Sequence, residues 1–248
     1  MVTPKILLLG AHGQLGHTLA VALQKRGEVE ALTRVEADLS DPSALRQALC
    51  NRGTTFLPTI VMNAAAYTAV DQAETEPALA HAVNAQSPAV LAELAQTWGA
   101  MLVHYSTDYV FDGTGVKPWR EVDATHPLSV YGESKRAGEE AIAQACVKHL
   151  ILRTSWVVGA HGHNFLKTML RLAQDREKLT VINDQHGAPT GADLIADVTA
   201  HATRRVLNTQ NISFSGVYHL VAAGETTWHG YASHVIEQAR VIKPDSAW

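Results

Sequence analysis

Lys5-Ile6-Leu7-Leu8-Leu9-Gly10-Ala11-His12-Gly13-Gln14-Leu15-Gly16 joins a short apolar run to a turn punctuated by three glycines. A continuous apolar run that stops at glycine is the pattern of a strand buried on both faces, as in a parallel sheet. Behind the turn, Leu15, Leu19, Ala22 and Leu23 recur at helical spacing, and Gly27 supplies a stop. The order is therefore strand, glycine loop, helix. In that order Gly10, Gly13 and Gly16 let the backbone around Gln14 and Leu15, at the helix N-terminus, approach a pyrophosphate, and the third glycine allows close packing of helix on strand. The spacing is GxxGxxG rather than GxGxxG, so a tight turn without a ligand is the alternative reading.

Outward from this unit the alternation repeats. Val29 to Thr33 reads as a second strand, and the corner after it, Thr33-Arg34, is where a dinucleotide fold places the adenosine ribose. An arginine there either pairs with a 2′-phosphate, which leans toward NADP, or is a solvated turn residue. Asp38-Leu39 leads into the next helix, with Asp38 an acceptor for an adenine amino group or a turn cap. Thr59 to Met62 reads as a third strand, ending in Asn63-Ala64-Ala65-Ala66. Those alanines leave room for a ligand across the strand end, or for close helix packing. Glu74 to Trp98 reads as one long helix interrupted near Pro88 and closed by Gly99. Met101 to Tyr105, a fourth strand, delivers Ser106-Thr107-Asp108 to the same edge. The turn-rich stretch from Val110 to Leu128 reads as a covering loop.

Ser129 caps a helix that carries Tyr131 and Lys135 four residues apart. That spacing places both on one helix face, where an ammonium favours the phenolate and would draw the tyrosine pKa down toward working pH. The same pair also occurs as an ordinary surface contact. Leu150 to Trp156 reads as a further buried strand, with Trp156 a core residue or a ligand platform. Beyond residue 160 come a helix over 164–176, a strand over 180–182, the loop 185–190, and helices near 191–208 and 227–240. The expectation is an α/β fold: a doubly wound, Rossmann-like parallel sheet over residues 1–158 and a smaller, interleaved C-terminal substrate lobe over 159–248, with its last segment missing.

Composition narrows the functional classes. With 46% hydrophobic and 18% charged residues, 248 residues can bury a sizeable core. A formal charge of −4 and a pI near 6.3, with the basic residues scattered singly, offer no stripe for nucleic acid or a membrane surface. Four apolar residues before Gly10 are too few for a signal peptide or a span, so a cytoplasmic location is expected. Cys50 and Cys146 have no ligand or disulfide spacing and read as buried free thiols. His161-Gly162-His163 has no metal-ligand pattern around it, and no catalytic metal is expected.

Taken jointly and in order, the glycine loop, Ser106-Thr107-Asp108, and Tyr131 with Lys135 resemble the extended short-chain dehydrogenase/reductase superfamily. The stretches 104–113, Arg153-Thr154-Ser155-Trp156-Val157 and 183–190 resemble, within it, the dTDP-4-dehydrorhamnose reductase family, over nearly the whole chain. The resemblance implies NADPH- or NADH-dependent reduction of the 4-keto group of a dTDP-6-deoxy sugar, giving dTDP-L-rhamnose for bacterial surface polysaccharide. It implies that Tyr131 protonates the carbonyl oxygen, that Lys135 holds the nicotinamide ribose and lowers the Tyr131 pKa, and that Thr107 bonds the reacting oxygen or tunes Tyr131. Gly10, Gly13, Gln14, Leu15, Gly16, Arg34, Asp38, Leu39, Ala64, Ala65, Ala66 and Tyr105 then line the cofactor, while Thr107, Asp108 and Trp156 face the sugar.

Two departures accompany this likeness. The family often carries an acidic residue where Thr33-Arg34 stands, which shifts the expectation from NADH toward NADPH. The family also continues past the position of Trp248 with a segment that helps complete the substrate lobe and, in some members, a magnesium-linked homodimer; Asp193 falls near that dimer-site carboxylate. A truncated or shortened member is therefore expected. The competing functions are a nucleotide-sugar epimerase or dehydratase of the same superfamily, and a cofactor-binding regulatory subunit without catalysis.

Overall fold

A computed structural model describes residues 3–209 and 214–244; the end of the expected C-terminal lobe, 245–248, lies outside the described residues. The chain begins with β1 (Lys5–Leu9), α1 (Gln14–Leu23), β2 (Glu28–Leu32), α2 (Pro42–Gly53) and β3 (Ile60–Asn63). Three short helical pieces follow, α3 (Val70–Ala73), α4 (Pro77–His81) and α5 (Ser87–Trp98), the last two joined by a π turn over Ala82–Gln86. Next are β4 (Met101–Thr107), α6 (Val130–Ala145) and β5 (His149–Thr154). The remainder holds β6 (Val157–Val158), α7 (Phe165–Asp175), β7 (His186–Gly187), β8 (Thr190–Gly191), α8 (Ala192–Thr209), β9 (Gly216–His219), β10 (Thr226–Thr227) and α9 (Trp228–Ile242).

Six strands form one parallel sheet in the order β2-β1-β3-β4-β5-β9. Period-two alternation divides its side chains between two cores. Leu7, Leu9, Val61, Leu102 and Ile151 meet Leu45, Leu49, Leu91, Leu94 and Ile142 of α2, α5 and α6. Ile6, Leu8, Met62, Val103 and Leu152 meet Leu15, Leu19, Ile195 and Ala200 of α1 and α8. Continuous apolar strands are thus explained by helices on both faces, as the first strand's sequence required. The segment after residue 158 returns to these layers through α8 and β9, while β6 with β8 and β7 with β10 make two small sheets beyond the main one.

Three sequence expectations are corrected. The single helix over 74–98 is broken because Pro77 and Pro88 have no amide to donate; each sits in the first turn of its own helix, and the π turn absorbs the mismatch ahead of Pro88. Gly99 closes α5 in the left-handed region, at φ 67°. Thr180 to Ile182 pairs with no strand; the Ile182 carbonyl instead accepts from the His229 amide at 3.0 Å. Cys146 is buried, but Cys50 lies on the exposed side of α2, where the helix turns away from its Leu45 and Leu49 stripe.

The π turn matters because α6 packs directly on it. Gly138 lies so close to Asn84 that a Cβ would stand 2.1 Å from the Asn84 carbonyl oxygen. Asn84 also ties its surroundings together, accepting from Tyr67 N at 2.9 Å and donating to Tyr67 O and Ser134 Oγ at 3.0 Å each. Gly138→Ala is therefore expected to destabilise the fold by about 1–3 kcal/mol through overpacking. Urea unfolding followed by circular dichroism measures this as a lowered midpoint; an unchanged midpoint would refute the close contact.

Candidate active site

The carboxyl ends of β1, β3 and β4 converge on one edge of the sheet, and the glycine loop and α6 frame it from either side. At the loop, Gly10 takes φ 81°, and a Cβ there would lie 2.7 Å from Ala65 N. A Cβ on Gly16 would lie 2.0 Å from Gly10 O. The two glycines thus permit the loop to close onto β3 and the helix onto the loop. Gly13 begins α1 with no side chain capping the helix, whereas Asp41, Ser129, Asn164 and Thr227 cap α2, α6, α7 and α9. The first amides of α1 stay available to an anion, and this backbone fits a dinucleotide pyrophosphate.

The sequence did not disclose what holds the loop. Asn164 Nδ2 donates to Gln14 Oε1 and to Gly159 O, both at 2.9 Å, and Lys167 Nζ donates to Ala160 O at 2.6 Å and Gly162 O at 2.8 Å. The segment 159–164 is thereby latched over the start of α1, and the His161 ring packs against His17 at a 44° tilt with centroids 3.7 Å apart. No spacing rule links residues so distant in sequence.

At the β2 corner Arg34 is exposed and pairs with Asp38 through Nε at 3.3 Å. Asp38 also accepts from Ser40 N at 2.9 Å and Ser40 Oγ at 2.8 Å, which is turn-capping geometry, and the Ser40 amide holds its carboxyl below the usual range. The Leu39 side chain is core, leaving only its backbone for the edge. Glu36, absent from the expected site, turns back to accept from Thr33 N at 2.8 Å and Thr33 Oγ1 at 3.0 Å. Those bonds hold its carboxyl below the usual range, so an acidic group does stand at this corner, displaced three residues along the chain. Ala64 and Ala65 pack into opposite cores, and Ala66 is exposed in the loop after the strand.

On α6, Tyr131 and Lys135 are both buried, on the face turned to the sheet. Lys135 is 1% exposed; its Nζ donates to Tyr105 O at 2.6 Å and stands 3.2 Å from His104 Nε2. Burial pushes the lysine down to about 8, with Glu139 one turn further on acting in the opposite direction. Glu139 is itself held by Arg153 of β5, through Nε at 2.9 Å and Nη2 at 2.6 Å. The expected depression of the Tyr131 phenol is not seen: burial pushes it up to about 12, opposed by the Thr107 hydroxyl beside it and reinforced by Asp108 and Tyr109. The lysine's own bonds run to the β4 backbone and to His104, so burial governs the phenol.

Thr107 ends β4 and holds the turn after it, accepting from Tyr109 N at 3.2 Å while its hydroxyl donates to Asp108 Oδ1 at 3.1 Å. Burial pushes the Asp108 carboxyl up. Tyr105 contributes only its carbonyl, because its ring lies in the core and its hydroxyl donates to Thr199 Oγ1 at 3.0 Å. Trp156 adopts φ 46°, in the left-handed region, and stacks on Trp228 with centroids 3.7 Å apart; the indole also closes on Gly187. It belongs to an aromatic cluster with Phe165 of α7 and Tyr231 of α9. Asp193 is exposed in the first turn of α8, and among the described residues no group of three or more His, Cys, Asp or Glu side chains is placed to hold a metal ion. Among the described residues no helix is long and apolar enough to cross a membrane.

Comparison with known proteins shows the family to which the chain belongs. The family described as RmlD substrate binding domain matches residues 4–246. The dTDP-4-dehydrorhamnose reductase of Escherichia coli K12 is 52% identical over 239 residues, covering 95% of this chain and 78% of that protein. That of Burkholderia thailandensis is 47% identical over 240 residues, covering 96% of this chain and 79% of its own. Among solved structures, the Bacillus anthracis dTDP-4-dehydrorhamnose reductase in complex with NADP superposes with a TM-score of 0.86 at 34% identity, covering 97% of this chain and 82% of that one. A Thermus thermophilus UDP-glucose 4-epimerase, at 21% identity and TM-score 0.78 over 95% of this chain and 83% of its own, shares the fold. The chain belongs to the dTDP-4-dehydrorhamnose reductase family.

Proposed function

We propose that this chain reduces the 4-keto group of dTDP-4-dehydro-L-rhamnose to dTDP-L-rhamnose with a nicotinamide cofactor. The observation that carries the reading is the burial of Tyr131 and Lys135 side by side against Thr107, on the sheet edge that also holds the glycine loop, in a chain of this family. The cofactor supplies the hydride; the chain supplies the proton and the positions. Gly10, Gly13, Gln14, Leu15 and Gly16 receive the pyrophosphate, and Ala64, Ala65 and Ala66 leave the strand end open beside it. Lys135 directs its Nζ to the ribose, and Thr107 and Asp108 orient the sugar.

Tyr131 then acts as the general acid. A phenol held near 12 keeps its proton throughout the neutral range, which suits donation to a carbonyl oxygen as negative charge develops there. The Thr107 hydroxyl lies beside the phenol and opposes the upward push of burial. Trp156, packed into the aromatic cluster, presents a rigid edge to the sugar rather than a mobile lid.

NADPH is the slightly favoured donor. Arg34 supplies a positive charge for a 2′-phosphate, while the Glu36 carboxylate, three residues on, favours a free 2′-hydroxyl. Their opposition at one corner supports use of both cofactors. Arg34→Ala is expected to lower kcat/KM for NADPH relative to NADH by roughly five- to tenfold, and Glu36→Gln to raise it, each read from initial rates with the two cofactors. A ratio unmoved by either substitution refutes the corner's role.

Incubating the chain with dTDP-4-keto-6-deoxy-L-sugar tests the reaction itself. Stoichiometric oxidation of NADPH to product supports the reductase; retained cofactor with no net consumption supports the epimerase chemistry of the wider superfamily. Tyr131→Phe should bind NADPH with unchanged affinity yet lose roughly two to four orders of magnitude in kcat, as for loss of a general acid. Undiminished turnover would remove Tyr131 from that role.

A further inference from the structure

His104 occupies a place that neither the cofactor site nor the acid step explains. It lies in the middle of β4 with 1% exposure, between Asn63 of β3 and Lys135 of α6, which are equally sealed. Its Nδ1 is 3.2 Å from Asn63 Nδ2, and its Nε2 is 3.2 Å from Lys135 Nζ. The direction of these bonds is fixed from one end. Ala65 N donates to Asn63 Oδ1 at 3.1 Å, and a backbone amide can only donate. The Asn63 amide is therefore locked with its NH2 toward the imidazole, which must accept at Nδ1. A neutral ring that accepts at Nδ1 carries its proton on Nε2, and that proton points at Lys135 Nζ.

An ammonium has no lone pair to receive it. With Lys135 charged, either Nε2–H faces N–H, or the ring changes tautomer and Nδ1–H faces the Asn63 NH2. One buried contact becomes donor against donor in both cases, and at 1% exposure neither group reaches bulk solvent. With Lys135 neutral, every bond is satisfied: Ala65 to Asn63 to His104 to Lys135, and Lys135 on to the Tyr105 carbonyl.

We propose that His104 is a positioning residue whose tautomer, set by Asn63, opposes protonation of Lys135 and makes the charge on that lysine depend on what binds at its Nζ. The other groups facing the lysine are accounted for. Glu139 on α6 favours the ammonium but is engaged by both forks of Arg153 from β5. Tyr131, one turn back on α6, is neutral with its phenol pushed up, and from β4 the Tyr105 carbonyl accepts in either charge state. Burial holds His104 well below the ordinary imidazole range, so the ring itself stays neutral. The inference builds on the reading of Lys135 as the ribose-holding lysine: acceptors arriving at Nζ would offset the donor conflict and draw a proton in.

The test uses the full chain without cofactor, labelled with 13C at lysine Cε and 15N in the histidine rings. At pH 9 His104, identified by signals lost in His104→Gln, is expected with Nε2 protonated and Nδ1 bare. Asn63→Asp places an acceptor opposite Nδ1. It should move the proton to Nδ1 and raise the Lys135 titration, identified by its loss in Lys135→Met, by about one pH unit or more. If His104→Gln does not fold, the ring that changes tautomer in Asn63→Asp identifies His104. A wild-type His104 with Nδ1 protonated at pH 9, or no histidine changing tautomer in Asn63→Asp, overturns the proposal. Neither readout involves turnover, so failure of the reductase assignment and failure of this inference are separately visible.

Discussion

A lysine amino group sealed inside the protein constrains everything built around it. Lys135 is 1% exposed, and its Nζ needs partners that the surrounding apolar layers do not supply. The sheet provides them by ending β4 differently from its neighbours. Where β1 gives leucines, β4 gives His104, the Tyr105 carbonyl and Thr107. The helix must then approach the strand closely enough to use them. That approach explains the small residues on the buried side of α6, Gly132, Ser134 and Gly138, and the contact of Gly132 with the Tyr109 carbonyl.

The irregular stretch between β3 and α5 serves the same requirement. A regular helix through 82–86 would leave the Pro88 nitrogen facing a carbonyl it cannot bond. The wider turn accommodates the proline and exposes the Asn84 carbonyl to Gly138, while the Asn84 side chain binds Tyr67 and Ser134. Local backbone chemistry thus sets how deep α6 sits, and with it the depth of Tyr131 and Lys135. The Arg153–Glu139 pair fixes the far end of the same buried face.

Much of this was legible in the sequence because it rests on short-range rules. The glycine loop, the apolar strands, the Ser129 cap and the Tyr131–Lys135 spacing are each decided within a few residues, and each stands where expected. The failures share one cause. Asn164 latching Gln14 and His104 meeting Asn63 and Lys135 depend on which elements become neighbours, which no local pattern reveals. The raised pKa of the phenol has the same origin, since i,i+4 proximity gives the sign of a charge effect but not the burial that outweighs it. Thr180 to Ile182 had strand composition and no strand to pair with.

The Asn164 latch also orders events during synthesis. It joins side chains 150 residues apart, and α1 likewise rests on α8, while β5 waits for β9 to cover its far side. Contacts of such separation close late, because the chain entropy of a long loop must be overcome before they contribute. The glycine motif, which leaves the ribosome well before the segment that latches it, is therefore among the last parts to be held in shape. If the motif holds the cofactor as proposed, a nascent chain would own its cofactor-binding sequence long before it owned a cofactor site, and ligand capture would fall at the end of folding and not at its start.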